Sequence, residues 1–236
     1  MKALSTTKRQ LVRIGAIAGA GCLANVFAPS VIIRPVLAQQ KKEQEEVTPP
    51  EDLMREHGVL DRVLLIYEAA IAKLSRNEDF DPAVITQSAG IIRDFINNYH
   101  EKSEEEHVFP RFKSARKMVD LVNTLLQQHQ AGRRVTETIL NLAPASRRNA
   151  NDRRHVVTAM QSFITMYRPH AAREDTDLFP QLQKLVSPNE YDAMAEEFEK
   201  KEHQLFGEDG FEKMVQQVAK IEETVGIHNL NQFTLG

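Results

Sequence analysis

Apolar residues recur at helical spacing through Leu53, Val59, Leu60, Val63, Leu64, Tyr67, Ala70, Ile71 and Leu74. One buried stripe of this rhythm predicts a first helix over residues 51–76. Asp81-Pro82 is a capping side chain followed by a residue that needs no amide donor. It predicts a second helix from there to about Phe109, stopped by Pro110. A third is predicted over 116–143, ending before Pro144, and a fourth over 151–179, stopped by Pro180 and kinked at Pro169.

Four long helices joined by short loops predict an all-α fold, an up-down antiparallel four-helix bundle. Ser187-Pro188-Asn189-Glu190 has the spacing of a capping box and opens a helix over 188–206. A last helix runs from Gly210 through Phe211, Met214, Val218 and Ile221 to Gly226. These additional C-terminal helices, 187–236, are expected to pack on the outside of a bundle formed by 49–182.

Residues 1–38 have another character. Lys2, Lys8, Arg9 and Arg13 precede an apolar, Gly- and Ala-rich stretch, then Val36-Leu37-Ala38. This predicts a secretory signal cleaved after Ala38, and a periplasmic or secreted protein without a stable membrane anchor. Thr7-Lys8-Arg9-Gln10-Leu11-Val12 resembles a twin-arginine export signal with Lys in place of the first Arg, and the general secretory route stays open beside it. Residues 39–48 read as a flexible tether.

Loss of the leader takes the net charge from −3 to about −8 and removes Cys22, the chain's one cysteine. Disulfide and thiolate chemistry are thereby excluded from the mature chain. An acidic chain without a basic stripe also argues against nucleic-acid binding.

One pattern is written twice. His57 is followed by His100, Glu104 and Phe109-Pro110; His129 is followed by His170, Glu174 and Phe179-Pro180. His and Glu four residues apart project from the same helix face, so each such pair can reach one point. Counting places His57 about eighteen residues before the first loop and His100 about eighteen after it, hence at one level. Any single buried His is readily explained as a core residue bonded to a neighbouring Glu. Four imidazoles and two carboxylates left unliganded in one core would instead carry desolvation costs on the order of several kcal/mol for each unpaired charge. Such donors suit iron, manganese or zinc, and two matched sets suit a pair of ions.

These motifs resemble the hemerythrin family, in its bacterial cation-binding branch, over about residues 51–182; the run from Met166 to Asp175 is especially similar. The resemblance implies two non-haem iron ions, oxo- or carboxylate-bridged. His57 and His100 would hold one, His129 and His170 the other, with Glu104 and Glu174 bridging. Oxygen-carrying hemerythrins have a further His four residues after the counterpart of His129, where this chain has Arg133. That iron would keep water, an open position or a substitute ligand. Glu101 is the best substitute, since the hemerythrin-like domain of a eukaryotic ubiquitin-ligase subunit is similar in placing a ligand Glu directly after this His. The other reading of Glu101 is a solvated charge among Lys102, Glu105 and Glu106.

Arg133 reads as solvated, with steadying of a bound anion as the alternative. Tyr99 and Tyr167 read as bundle packing, Phe109 and Phe179 as plugs at helix ends, and His107, His155, His203 and His228 as surface or packing residues. The expected function is binding of dioxygen, or a related ligand such as nitric oxide, at the iron with fewer histidines. Alternatives are a di-iron oxidase, peroxidase or nitric-oxide-handling enzyme, or an iron-sensing module.

Overall fold

The computed structural model describes residues 47–234; the leader, its export motif, Cys22 and most of the tether lie outside them. The fold is all-helical, with no strand among the described residues. Helix α1, Pro49–Ser75, starts at Thr48, whose hydroxyl accepts the Glu51 amide. Helix α2 is a continuous helical rod built from Pro82–Ile91, Ile92–His100, Glu101–Ser103, Glu104–Val108 and Phe109–Ser114. It starts at Asp81, whose carboxylate accepts the Ala83 amide at 3.0 Å. Helix α3 is Val119–Leu142. Helix α4 begins at Asn149, whose side chain accepts two amides, and runs through Ala150–Arg173 and Glu174–Leu178 to Phe179–Leu182. Helix α5, Pro188–Phe206, carries the expected capping box of Ser187 with Glu190, and α6 is Gly210–Val225.

Neither Phe-Pro ends its helix where the spacing suggested. A wide π turn, Glu104–Val108 or Glu174–Leu178, comes just before each proline. It shifts the hydrogen-bond register, so the α-helix restarts at the phenylalanine and the proline lies in a first turn that needs no donor. The helix therefore continues past Pro110 to Ser114 and past Pro180 to Leu182. Pro169 is accommodated inside the unbroken Ala150–Arg173 segment.

Each of the four long helices packs on two others: α1 on α2 and α4, and α3 on α2 and α4. The apolar residues between them form two clusters. One contains Val63, Tyr67, Phe95, Ile96, Ile139, Phe163 and Tyr167. The other contains Leu53, Val108, Phe109, Phe112, Leu125, Leu178 and Phe179. Along every long helix the motif residues fall where one cluster gives way to the other: His57 between Leu53 and Val59, Glu104 between Tyr99 and Val108, His129 between Leu125 and Ile139, Glu174 between Ala171 and Leu178. A polar layer is thus held between two dry apolar blocks.

The C-terminal helices extend both blocks. Met194 and Phe198 of α5 join the second cluster, while Met214, Val218 and Ile221 of α6 join the first. Arg62 of α1 donates a forked pair of hydrogen bonds to Glu222 of α6, at 2.8 and 2.6 Å.

Candidate metal centre

The six repeated residues, His57, His100, Glu104, His129, His170 and Glu174, are all buried in that layer, both glutamates completely. Each carboxylate lies across two imidazoles from different pairs. Glu104 Oε2 is 3.6 Å from His100 Nε2 and 3.4 Å from His129 Nε2. Glu174 Oε2 is 3.4 Å from His57 Nε2 and 3.1 Å from His170 Nε2. The Nε2 atoms of His129 and His170 face each other at 3.2 Å. Donor atoms of His57, His100, Glu104 and Glu174 all lie within 4.8 Å of one another, as do those of His129, His170 and Glu174.

Every imidazole turns its other nitrogen to a fixed partner. His57 Nδ1 meets Asp175 at 2.8 Å, His100 Nδ1 meets Glu56 at 2.6 Å, His129 Nδ1 meets Glu105 at 3.2 Å, and His170 Nδ1 meets Gln128 at 2.9 Å. Outer partners of this kind set ring orientation and leave Nε2 free for a central cation. The spacing of the motif singles out none of the four, yet the repeat contains them. Glu56 and Gln128 directly precede the lone histidines, and Glu105 and Asp175 directly follow the motif glutamates. The repeated unit is therefore Glu or Gln with His, then His with Glu and a second acid.

The phenylalanines obey the same symmetry. Phe109 stacks on His129 with ring centres 5.4 Å apart, and Phe179 stacks on His57 at 5.8 Å. The Phe-Pro of each copy thus walls in the lone histidine of the other: both phenylalanines are core plugs as expected, but within their helices rather than at the ends.

Charge is distributed unevenly. Burial disfavours the charged form of His57 and of His129. Asp175 and Glu174 outweigh it at the first, Glu104 and Glu105 at the second, and both imidazoles are raised to about 10. His100 is held well below the ordinary range by burial and by the charge of His57. Burial and the neighbouring Glu174 push Glu104 up, while Glu174 overcomes its burial through His170 and His57 and stays ionised.

The residues fit bound metal cations on physical grounds. His100 Nε2 and all four carboxylate oxygens of Glu104 and Glu174 are buried without a formed hydrogen bond. Orphaned buried polar atoms are costly, and a cation at their common focus would satisfy them together. Nitrogen and oxygen donors of this kind suit iron, manganese or zinc.

Glu101 stands to one side of that focus. It is 1% exposed, which overturns its reading as a solvated charge. Its Oε1 accepts from Asn97 at 2.9 Å and from the Tyr167 hydroxyl, and its Oε2 lies 2.8 Å from Arg133 Nη2. Arg133 also reaches Glu105 at 2.8 Å, so it is ion-paired rather than solvated. Tyr167 is a hydrogen-bond donor as well as a packing residue. Glu101, Glu105 and His129 offer donor atoms within 4.8 Å of one another, which puts Glu101 on the His129 side of the layer. His107, His155, His203 and His228 take no part in the layer.

Uncharacterized proteins of Mycobacterium bovis and of two strains of Mycobacterium tuberculosis are each 45% identical over 194 residues, 81% of this chain and 76% of theirs. No solved structure matches. The family model of the hemerythrin HHE cation-binding domain matches residues 48–182, the span that carries both copies of the motif and all four outer partners. This chain, with its paired imidazoles and shared carboxylates, belongs to the hemerythrin HHE cation-binding family.

Proposed function

We propose that this protein is an exported non-haem di-iron protein, built on an up-down antiparallel four-helix bundle, that binds dioxygen or a related small ligand such as nitric oxide. The observation that carries the reading is the crosswise pairing, in which Glu104 lies against His100 and His129 while Glu174 lies against His57 and His170. His57 with His100 and His129 with His170 would each hold one ion, and the two glutamates would serve both. Iron in such a donor set supplies reversible coordination of a small ligand and one-electron redox capacity.

The chain's own residues define the surroundings. Asp175, Glu56, Glu105 and Gln128 fix the imidazoles, and the apolar blocks on either side keep water from the layer. The ligand position is assigned to the His129 side, where Arg133 stands in place of a third imidazole. Export rests on the leader sequence of residues 1–38.

A di-iron oxidase or peroxidase is the second reading. One observation favours it: a further carboxylate, Glu101, is pinned beside His129 by Asn97, Tyr167 and Arg133. Such a group would favour the ferric state.

The test is metal content per chain on protein purified from its native compartment, with optical spectra before and after reduction and air. Nearly two irons and bands that bleach and return are expected. Consumption of reductant in air would favour the enzyme, and no iron or a single zinc would overturn both readings.

A further inference from the structure

A second acidic cluster lies at the seam between α1 and the C-terminal helices, beside the histidine layer and joined to it through Glu56. Asp52 and Glu56, one turn apart on α1, meet Glu202 of α5, and their carboxylate oxygens lie within 4.8 Å of one another. Glu56 is buried and the other two are partly buried. Little neutralises them. Arg55 is 3.9 Å from Asp52 and is also engaged over the Phe211 ring and 3.6 Å from Glu212, and His100 Nδ1 meets Glu56 at 2.6 Å. A backbone amide, that of Phe211, donates to Glu202 at 2.8 Å.

An independent feature points into the cluster. The Tyr99 hydroxyl is buried without a well-formed hydrogen bond, and the charges that act on it are those of Glu56, Asp52 and Glu202, Glu56 foremost. Three converging carboxylates and an orphaned phenol oxygen make an oxygen-only donor set, unlike the imidazole-rich layer beside it. We propose that Asp52, Glu56 and Glu202, with the Tyr99 hydroxyl, form a third cation site selective for a hard divalent ion of the magnesium, calcium or manganese class.

The chemistry separates the two kinds of site. Imidazole favours borderline transition ions, whereas carboxylate and hydroxyl oxygens favour hard ones. The two are also joined, because the Glu56 carboxylate that would bind the third ion holds His100 Nδ1 through its Oε2 atom. Occupancy at the seam is therefore felt by a ligand of the metal pair, and it ties α5 to α1. The site does not depend on iron being the ion of the layer.

Terbium is a suitable probe, being a hard, oxygen-seeking ion whose emission is sensitised by an adjacent tyrosine, in a chain with four tyrosines and no tryptophan. Full-length protein titrated with terbium chloride should give saturable emission on tyrosine excitation, with one ion per chain. Asp52→Asn and Glu202→Gln should each weaken apparent affinity by about tenfold or more, since ligand charge sets affinity in such sites. Tyr99→Phe should abolish the emission while calorimetry still records terbium binding; Tyr167→Phe should leave the emission unchanged. No saturable emission, wild-type titration in both carboxylate variants, or emission lost with Tyr167 rather than Tyr99 would overturn the proposal. Iron content of the carboxylate variants should match the wild type, so absence of iron from the wild type would count against the metal pair alone.

Discussion

Tyr167 occupies the space that a side chain on Gly132 would need: a Cβ built on Gly132 would stand 1.9 Å from the Tyr167 hydroxyl oxygen and 2.6 Å from its Cζ. This missing side chain on α3 lets the ring of α4 lie against the backbone and reach Glu101 of α2. Gly132→Ala gains about 1 kcal/mol of helix propensity. Overpacking against a fully buried ring costs about 1–3 kcal/mol, and the hydrogen bond to Glu101 is also broken. Net destabilisation of about 1–2 kcal/mol is expected, read as a lower denaturant midpoint at unchanged slope. A midpoint at or above wild type would mean that Tyr167 moves aside freely.

Glu101 collects three donors, Asn97, Tyr167 and Arg133, at a position with almost no solvent contact. Glu101→Ala leaves the phenol and the guanidinium without that partner, and a loss of about 2–4 kcal/mol is expected by denaturant unfolding of metal-free protein. Glu101→Gln retains shape and part of the bonding and should lose less. In metal-loaded protein both changes should shift the optical bands without emptying the site. Unchanged bands in both variants would confine Glu101 to a structural role.

The candidate ligands are legible in the sequence for a physical reason. A metal site needs fixed donor types at helical spacing, and the repeat of His, His-x-x-x-Glu and Phe-Pro preserves that spacing twice. The outer partners adjoin those residues at 56, 105, 128 and 175, so extending the repeat by one position on each side brings them out. Glu101 is legible only through the family resemblance: flanked by Lys102, Glu105 and Glu106 its local sequence equally reads as a solvated charge, because its burial is tertiary, made by Tyr167 over Gly132 together with Asn97 and Arg133. The helix ends at Pro110 and Pro180 mislead for a local reason, since a preceding π turn lets a helix pass a proline that would otherwise stop it.

Glu104 and Glu174 should not be separable into one residue per ion. Each touches one histidine of both pairs, at 3.6 and 3.4 Å for Glu104 and at 3.4 and 3.1 Å for Glu174. Glu104→Ala or Glu174→Ala should therefore lower bound metal from two ions towards one or none, measured as metal per chain after dialysis against weak chelator. Full occupancy in both variants would sink the shared-carboxylate assignment.

Metal loading should release protons. In metal-free protein His57 and His129 are raised to about 10 by ion pairing that overcomes burial, and Glu104 is pushed up by burial and by Glu174. A metal accepts only neutral imidazole and ionised carboxylate, so filling both positions at neutral pH should expel about two protons from the histidines, with a further contribution from Glu104. Metal affinity should therefore climb with pH across the neutral range and level off above about 10. The stability of the metal-free fold runs the other way. A folded-state value near 10 against the ordinary 6.5 makes these ion pairs fully stabilising below about 6.5, and their contribution is lost as pH rises through 10. Titrating zinc into weakly buffered protein with a pH indicator measures the release directly. Uptake of two ions without proton release would show that the histidines are neutral before the metal arrives.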